Sequence, residues 1–182
     1  MSAVELEVAP VEDVDDRATP AHIFDPLHAK YDFTIDVAAS PENAKLLRYY
    51  TRETNGLIRP WAGERVWCNP PYSDIPSWVR KAVQETANGC PLVVLLLPAN
   101  RTEQKWWHEL IEPHRDRPGS GIATQFVQRR IAFGAPEPPP GQLKKNENRP
   151  KNGSVLVIVT PKGAEPKVEG TLPLLDLADE EE

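Results

Sequence analysis

Asn69-Pro70-Pro71-Tyr72 is the segment of this 182-residue sequence whose residue types fit one demanding chemical task. An exocyclic amino group on a nucleobase is a poor nucleophile because its lone pair is delocalised into the ring. Two acceptors placed on its two hydrogens pull the nitrogen toward a tetrahedral shape. The Asn69 side-chain oxygen and the Pro70 main-chain carbonyl are of the right type for those acceptors. Two prolines stiffen the turn, so both oxygens point correctly before substrate arrives, which is electrostatic preorganisation. Tyr72 offers a flat face for stacking. The bland alternative is a rigid strand-to-helix corner with a surface tyrosine, or a Pro-Pro-Tyr peptide recognised by an adaptor domain. The Asn in front and the apolar run before it favour the chemical reading.

The surrounding pattern predicts the elements that would hold this turn. Arg65–Cys68 reads as a strand running straight into it. Ile75, Trp78, Val79, Ala82 and Val83 then fall at helical spacing, with Asn88-Gly89 as the stop. Leu92–Leu97 is unbroken apolar, the mark of a strand with both faces covered, as in a parallel sheet flanked by helices. Phe33–Val37 reads as a short strand with Asp36 near its carboxyl end. Ser40-Pro41-Glu42-Asn43 looks like the cap of another helix. Thr19-Pro20 and Asp25-Pro26 predict two short helical turns over 20–30, with Thr19 as cap. Thr102 is expected to cap a helix carrying Trp106, Trp107 and Leu110. Ile122–Val127 and Arg130–Phe133 read as two strands that pair, and Val155–Val159 as a last apolar strand. Strands alternating with helices predict an α/β sandwich with a mixed sheet. Ligands in such sheets bind beyond the carboxyl ends of strands, where Asn69 falls. The five tryptophans read as packing groups.

Composition narrows the partners. The overall charge of -6 divides unevenly along the chain. Residues 1–16 carry six acids and no Lys or Arg, and residues 165–182 carry seven acids and one lysine. The body from Arg17 to Ala164 therefore holds 20 basic and 14 acidic groups, a formal +6. A basic body suits phosphate contacts, since counterion release drives non-specific DNA affinity. An ordinary soluble surface is the competing account. The domain division is a disordered acidic tail over 1–16, one catalytic domain over 17–163 and an acidic tail over 164–182. A basic, proline-rich loop interrupts the domain at 134–153. No apolar run spans a bilayer and no signal peptide opens the chain, so a cytoplasmic protein is expected. Cys68 and Cys90 lack ligand spacing and read as reduced thiols. The four histidines form no ligand pair, so no metal is expected.

Taken together, these segments resemble the phage-type DNA N-6-adenine methyltransferase (Dam-like) family from about Thr19 to Val159. The resemblance is carried by Thr19-Pro20, Phe33 to Ser40, Asn43-Ala44-Lys45, Asn55-Gly56-Leu57 with Trp61, and Cys68 to Tyr72. Trp78 to Ala82, Leu96-Leu97-Pro98 with Trp107, and Arg130 to Phe133 add to it. It implies a Rossmann-like, S-adenosylmethionine-dependent methyltransferase sandwich acting on double-stranded DNA. The methionine half of the donor would meet Asp36, Ala38 and Ser40, with Thr19 and Pro20 against the same pocket. Its adenine would meet Asn55, Gly56 and Leu57. Two departures stand out: Ala38-Ala39-Ser40 replaces the glycine-rich turn of most such enzymes, and Asn55 stands where many relatives carry Asp. A cap for Asp36, a plain turn for Asn55-Gly56, and ribose binding by Glu53 all stay open.

The target adenine would leave the duplex and enter the Asn69 pocket, a movement costing a few kcal/mol. DNA contacts are expected from Arg101, Arg115, Arg117, Arg129, Arg130, Lys144, Lys145, Arg149 and Lys151. Methylation of cytosine N4 or of a protein glutamine also uses such a turn, and an inactive DNA-binding relative or an assembly protein would be a different class. Oligomeric state is not legible.

Overall fold

In the computed structural model, which describes residues 18–133 and 152–164, the elements follow a simple order. They are α1 (Ala21–Tyr31), β1 (Ile35–Asp36), β2 (Arg65–Cys68), α2 (Ile75–Ala87), β3 (Leu92–Pro98), a 3-10 turn (Ala99–Arg101), α3 (Lys105–Leu110), β4 (Ile122–Phe126) and β5 (Ser154–Val159). The strands form one sheet in the order β1-β2-β3-β5-β4. β1, β2 and β3 are parallel, while β5 runs antiparallel to both β3 and β4. Four strands therefore end at one edge of the sheet, and β5 begins there. The α/β class and mixed sheet are those expected from the sequence.

Period-two alternation splits the apolar strands between two layers. Val93, Leu95 and Leu97 of β3 join Val66, Cys68, Val155, Val157 and Val159 on one face, against α2 and the Trp106-Trp107 pair of α3. Val94, Leu96, Trp67, Leu156 and Ile158 face the other way, against Phe24 and Leu27 of α1, with Phe33 and Ile131. Every residue of β3 and β5 is buried, which is why neither shows a polar-apolar alternation. All five tryptophans are buried, and Cys68 and Cys90 are buried free thiols. Among the described residues no helix is long and apolar enough to cross a membrane.

Several local expectations are corrected. Residues 21–31 are one helix with Pro26 inside it, not two turns. Proline removes one hydrogen bond there, but Ile23, Phe24, Leu27 and Tyr31 still share a buried face, and that packing outweighs the loss. The N-cap is Pro20, with no side-chain cap bond, and Thr19 is buried instead. Ser40–Asn43 opens no helix: Asn43 turns back so that its side-chain oxygen accepts the Ser40 N–H at 2.7 Å, closing a turn. α3 is capped at Gln104, not Thr102. Arg130–Phe133 is not a strand, and β4 pairs with β5 instead.

The outer edge of β4 is occupied. Asp116, at a left-handed φ of 58°, donates its N–H to the Ile122 carbonyl at 2.8 Å. Its carboxylate accepts the Thr124 N–H and hydroxyl, both at 2.8 Å. A charged group bonded along an edge strand blocks further strand pairing there.

Candidate active site

The tetrapeptide leaves β2 at the edge where β1 to β4 end. Register places Cys68 opposite Leu95, so Asn69 emerges beside the middle of the longest strand. Pro70 is buried, Asn69 and Tyr72 are half-buried, and the Asn69 carboxamide oxygen and Tyr72 hydroxyl are shut off from solvent. The turn closes with the Asp74 N–H on the Pro71 carbonyl at 3.3 Å, just before α2. Two further contacts fix its outer half. Arg101 donates Nη1 to the Tyr72 carbonyl at 2.9 Å. The Phe133 ring meets Tyr72 edge-to-face, centroids 6.5 Å apart at 87°.

Behind the turn lies a cavity of about 490 Å³, a size typical of sites for small organic ligands. The loop after β1 supplies one wall, Val37 to Asn43. A second wall is Thr51, Arg52, Glu53, Asn55, Gly56 and Leu57, and Pro71, Ser73, Asp74 and Trp78 complete it. Three carboxylates against one guanidinium make this lining acidic, which suits a cationic ligand.

Gly56 lets the two loops meet. A Cβ there would lie 2.2 Å from the Val37 carbonyl oxygen and 3.2 Å from the Trp78 ring, so no side chain fits. Its own carbonyl accepts the Trp61 indole N–H at 3.0 Å. Trp61 is held in turn by Glu85, which accepts the Trp61 main-chain N–H at 2.7 Å and pairs with Lys81 at 2.7 Å. The Lys81 ammonium also sits over the Trp61 ring, 5.5 Å from its centroid. A buried, fully bonded network thus reaches from α2 to the cavity wall. The sequence flagged Gly56 and Trp61 but not Glu85, an acid of α2 that is buried against Trp61 and Lys81.

Asn55 adopts φ 52°, a region asparagine tolerates better than most residues. Its side-chain oxygen accepts the Leu57 N–H at 3.1 Å, so that oxygen is already used in shaping the loop.

Asp36 is 3% exposed and accepts main-chain N–H groups from Ala38 at 3.3 Å and Lys45 at 3.2 Å. It therefore organises the loop whose next residues line the cavity, and is not on the wall itself. Burial pushes its carboxyl up to about 6, against the opposing pull of the two N–H groups and the Lys45 charge. A carboxyl that titrates near 6 when folded and near 3.8 when unfolded holds its proton more tightly in the fold. Its contribution favours the folded state below about pH 4 and is lost as pH rises through about 6, a swing of about 3 kcal/mol. Burial also raises the Cys68 thiol, with Asp36 adding to the effect, and pushes Cys90 up to about 11. Neither sulfur is a thiolate near neutrality, which argues against thiol nucleophilic chemistry.

The remaining expected residues divide. Ala38, Ser40, Asn55, Gly56, Leu57 and Pro71 line the cavity, whereas Thr19 and Pro20 do not. Arg129 and Arg130 are exposed in the segment between β4 and Phe133, and Arg129 has a left-handed φ of 64°. Arg101 is half-buried and committed to Tyr72. Arg115 is neutralised by Glu112 at 2.9 Å and Asp116 at 3.0 Å. It and Arg117 precede β4, and so lie at the opposite edge of the sheet. Lys144, Lys145, Arg149 and Lys151 lie outside the described residues, as do the tail over 1–16 expected to be disordered and residues 165–182 of the acidic C-terminal tail. Phe133 was noticed only as part of a motif; its contact with Tyr72 depends on a fold that no spacing rule reveals.

Comparison with known proteins gives the family. A DNA N-6-adenine-methyltransferase of Escherichia phage T1 is 35% identical over 94 residues, 50% of this chain and 39% of that protein. The chain thus matches about two fifths of that relative's length. A DNA N-6-adenine-methyltransferase of Haemophilus phage HP1 (strain HP1c1) is 28% identical over 152 residues, 82% of this chain and 81% of that protein. The family model described as DNA N-6-adenine-methyltransferase (Dam) matches residues 7–178, nearly the whole sequence. The chain belongs to the DNA N-6-adenine-methyltransferase (Dam) family of enzymes.

Proposed function

We propose that this protein methylates the N6 amino group of adenine in double-stranded DNA, with S-adenosylmethionine as donor on a Rossmann-like methyltransferase scaffold. The observation that carries this reading is one cavity bounded on one side by the loops after β1 and before Trp61, and on the other by Pro71, Ser73 and Asp74, where the Asn69–Tyr72 turn runs into α2. A donor and an acceptor nitrogen must meet in line, and a shared wall is how a protein brings them together.

The donor fits the residues present. The cavity has the right scale, its acidic lining suits a ligand carrying an ammonium and a sulfonium, and Gly56, having no Cβ, lets its two lining loops come together. Ala38 and Ser40 would take the amino-acid end, on a loop that Asp36 holds in place through the Ala38 and Lys45 N–H groups, and Asn55, Gly56 and Leu57 the adenine. With its oxygen engaged by Leu57, Asn55 would use its amide N–H toward a ring nitrogen. Bound S-adenosylmethionine supplies an electrophilic methyl with its own leaving group, so no strong base is needed.

The chain's own residues do the rest. A flipped adenine stacks on Tyr72 and meets Phe133 at the rim. Asn69 and Pro70 accept its two N6 hydrogens and stabilise the positive charge that grows on nitrogen. Arg129 and Arg130, with the Lys144, Lys145, Arg149 and Lys151 loop, contact phosphates.

The test is to incubate the protein with donor and unmodified plasmid DNA, digest to nucleosides and identify the product. N6-methyladenine is expected; N4-methylcytosine, or label found only in protein, would overturn the proposal. Asp36 supplies a second expected outcome. Donor affinity measured by calorimetry should fall as pH drops below about 6, by up to about tenfold per unit, as the carboxylate is protonated. Asp36→Asn should flatten that profile and weaken binding at pH 7.5.

A further inference from the structure

Pro70 and Pro71 have no N–H to donate, and the Asp74 N–H meets the Pro71 carbonyl at 3.3 Å where the Asn69–Tyr72 turn enters α2. Arg101 supplies a fastening from outside. Its Nη1 donates to the Tyr72 carbonyl at 2.9 Å, across 29 residues of sequence. The guanidinium is delivered from a well-anchored place. The 3-10 turn that ends in Arg101 follows directly on β3, Ala99 donates its N–H to Gly153 beside β5 at 2.9 Å, and Gln104 donates to the Arg101 carbonyl at 3.2 Å. The side chain is half-buried, unlike Arg129 and Arg130. A planar, permanently charged donor on a carbonyl fixes the orientation of that peptide. The peptide in question carries the Tyr72 ring and ends the segment that offers the Asn69 and Pro70 oxygens.

We propose that Arg101 is a positioning residue that locks the Asn69–Tyr72 turn from the β3 side, and not a phosphate contact. The inference rests on the reading of that turn as the nucleobase pocket. The two roles separate in kinetics. A phosphate contact acts on DNA affinity and contributes about one unit to the slope of log affinity against log salt. A brace acts on alignment, where displacement of about 1 Å costs roughly 100-fold in rate.

The experiment measures single-turnover methyl transfer, DNA affinity over a range of salt, and S-adenosylhomocysteine affinity for Arg101→Met, Arg101→Lys and Asn69→Ala. Arg101→Met is expected to lose about 10- to 100-fold in rate, with the salt slope and S-adenosylhomocysteine affinity unchanged. Arg101→Lys, which keeps a donor, should recover part of the rate. A normal rate in Arg101→Met with weaker DNA binding and a slope reduced by about one would overturn the proposal. Loss of S-adenosylhomocysteine binding in both Arg101 variants would also overturn it, since that marks general disruption. If Asn69→Ala retains full activity, the pocket itself is misassigned, a failure distinct from a silent Arg101→Met beside an inactive Asn69→Ala.

Discussion

Asn69→Ala is expected to lower the rate of methyl transfer by roughly 100- to 1,000-fold, the usual loss when one positioned partner of a developing charge is deleted. The Asn69 oxygen is shut off from solvent, so no water of bulk mobility can take its place at the N6 hydrogen. Pro70 would keep one acceptor, which is why some activity should survive. Asn69 is absent from the cavity wall, so donor affinity should stay within a factor of about two. Asn69→Asp retains an acceptor at the same reach and should lose far less. Rate measured with tritiated donor, and donor affinity by calorimetry, check both halves. Equal losses in rate and donor affinity would show that Asn69 supports the fold and not the reaction.

The second large effect is expected at Gly56. An alanine Cβ 2.2 Å from the Val37 oxygen cannot be relieved by rotating a side chain, because the obstacle is backbone. The Asn55–Leu57 loop must retreat by about 1 Å or more, since contacts to carbon need about 3.5 Å. That movement strains the Trp61 to Gly56 hydrogen bond and separates the two walls of the cavity. Gly56→Ala should therefore weaken donor binding by at least about 100-fold, about 3 kcal/mol, and destabilise the fold by about 1–3 kcal/mol. Calorimetry with S-adenosylhomocysteine and thermal unfolding measure the two. Undiminished affinity would mean that the loop is not part of the donor site.

Much of this was legible because strong patterns coincide with tertiary need. β2, α2, β3 and β5 could be read almost to the residue, since their apolar runs are core on both faces or at helical period. The corner between β2 and α2 at Asn69–Tyr72 was legible from residue type, and the turn at Gly56 from its neighbours. What failed were signals that compete with tertiary contact. Pro26 spoke for a break, yet a shared buried face carried the helix through it. Ser40 spoke for a cap, yet residues 41–43 make only a turn, with the Asn43 side chain on the Ser40 N–H, and no helix follows. Arg101 and Arg115 read as DNA contacts, and the sequence does not show that one meets the Tyr72 carbonyl and the other Glu112 and Asp116. Glu85 went unnoticed because a buried acid on an amphipathic helix looks like any other polar position until its two partners are seen.

The placement of β5 governs how this protein comes into being during synthesis. Its sheet neighbours, β3 and β4, are made first but do not pair with each other. Each waits with an open row of amides and carbonyls until Ser154–Val159 has left the ribosome and slid between them. Such distant pairing is slow and leaves a sticky nascent intermediate. A premature stop anywhere before Val159 should thus yield not a weakened enzyme but an insoluble one.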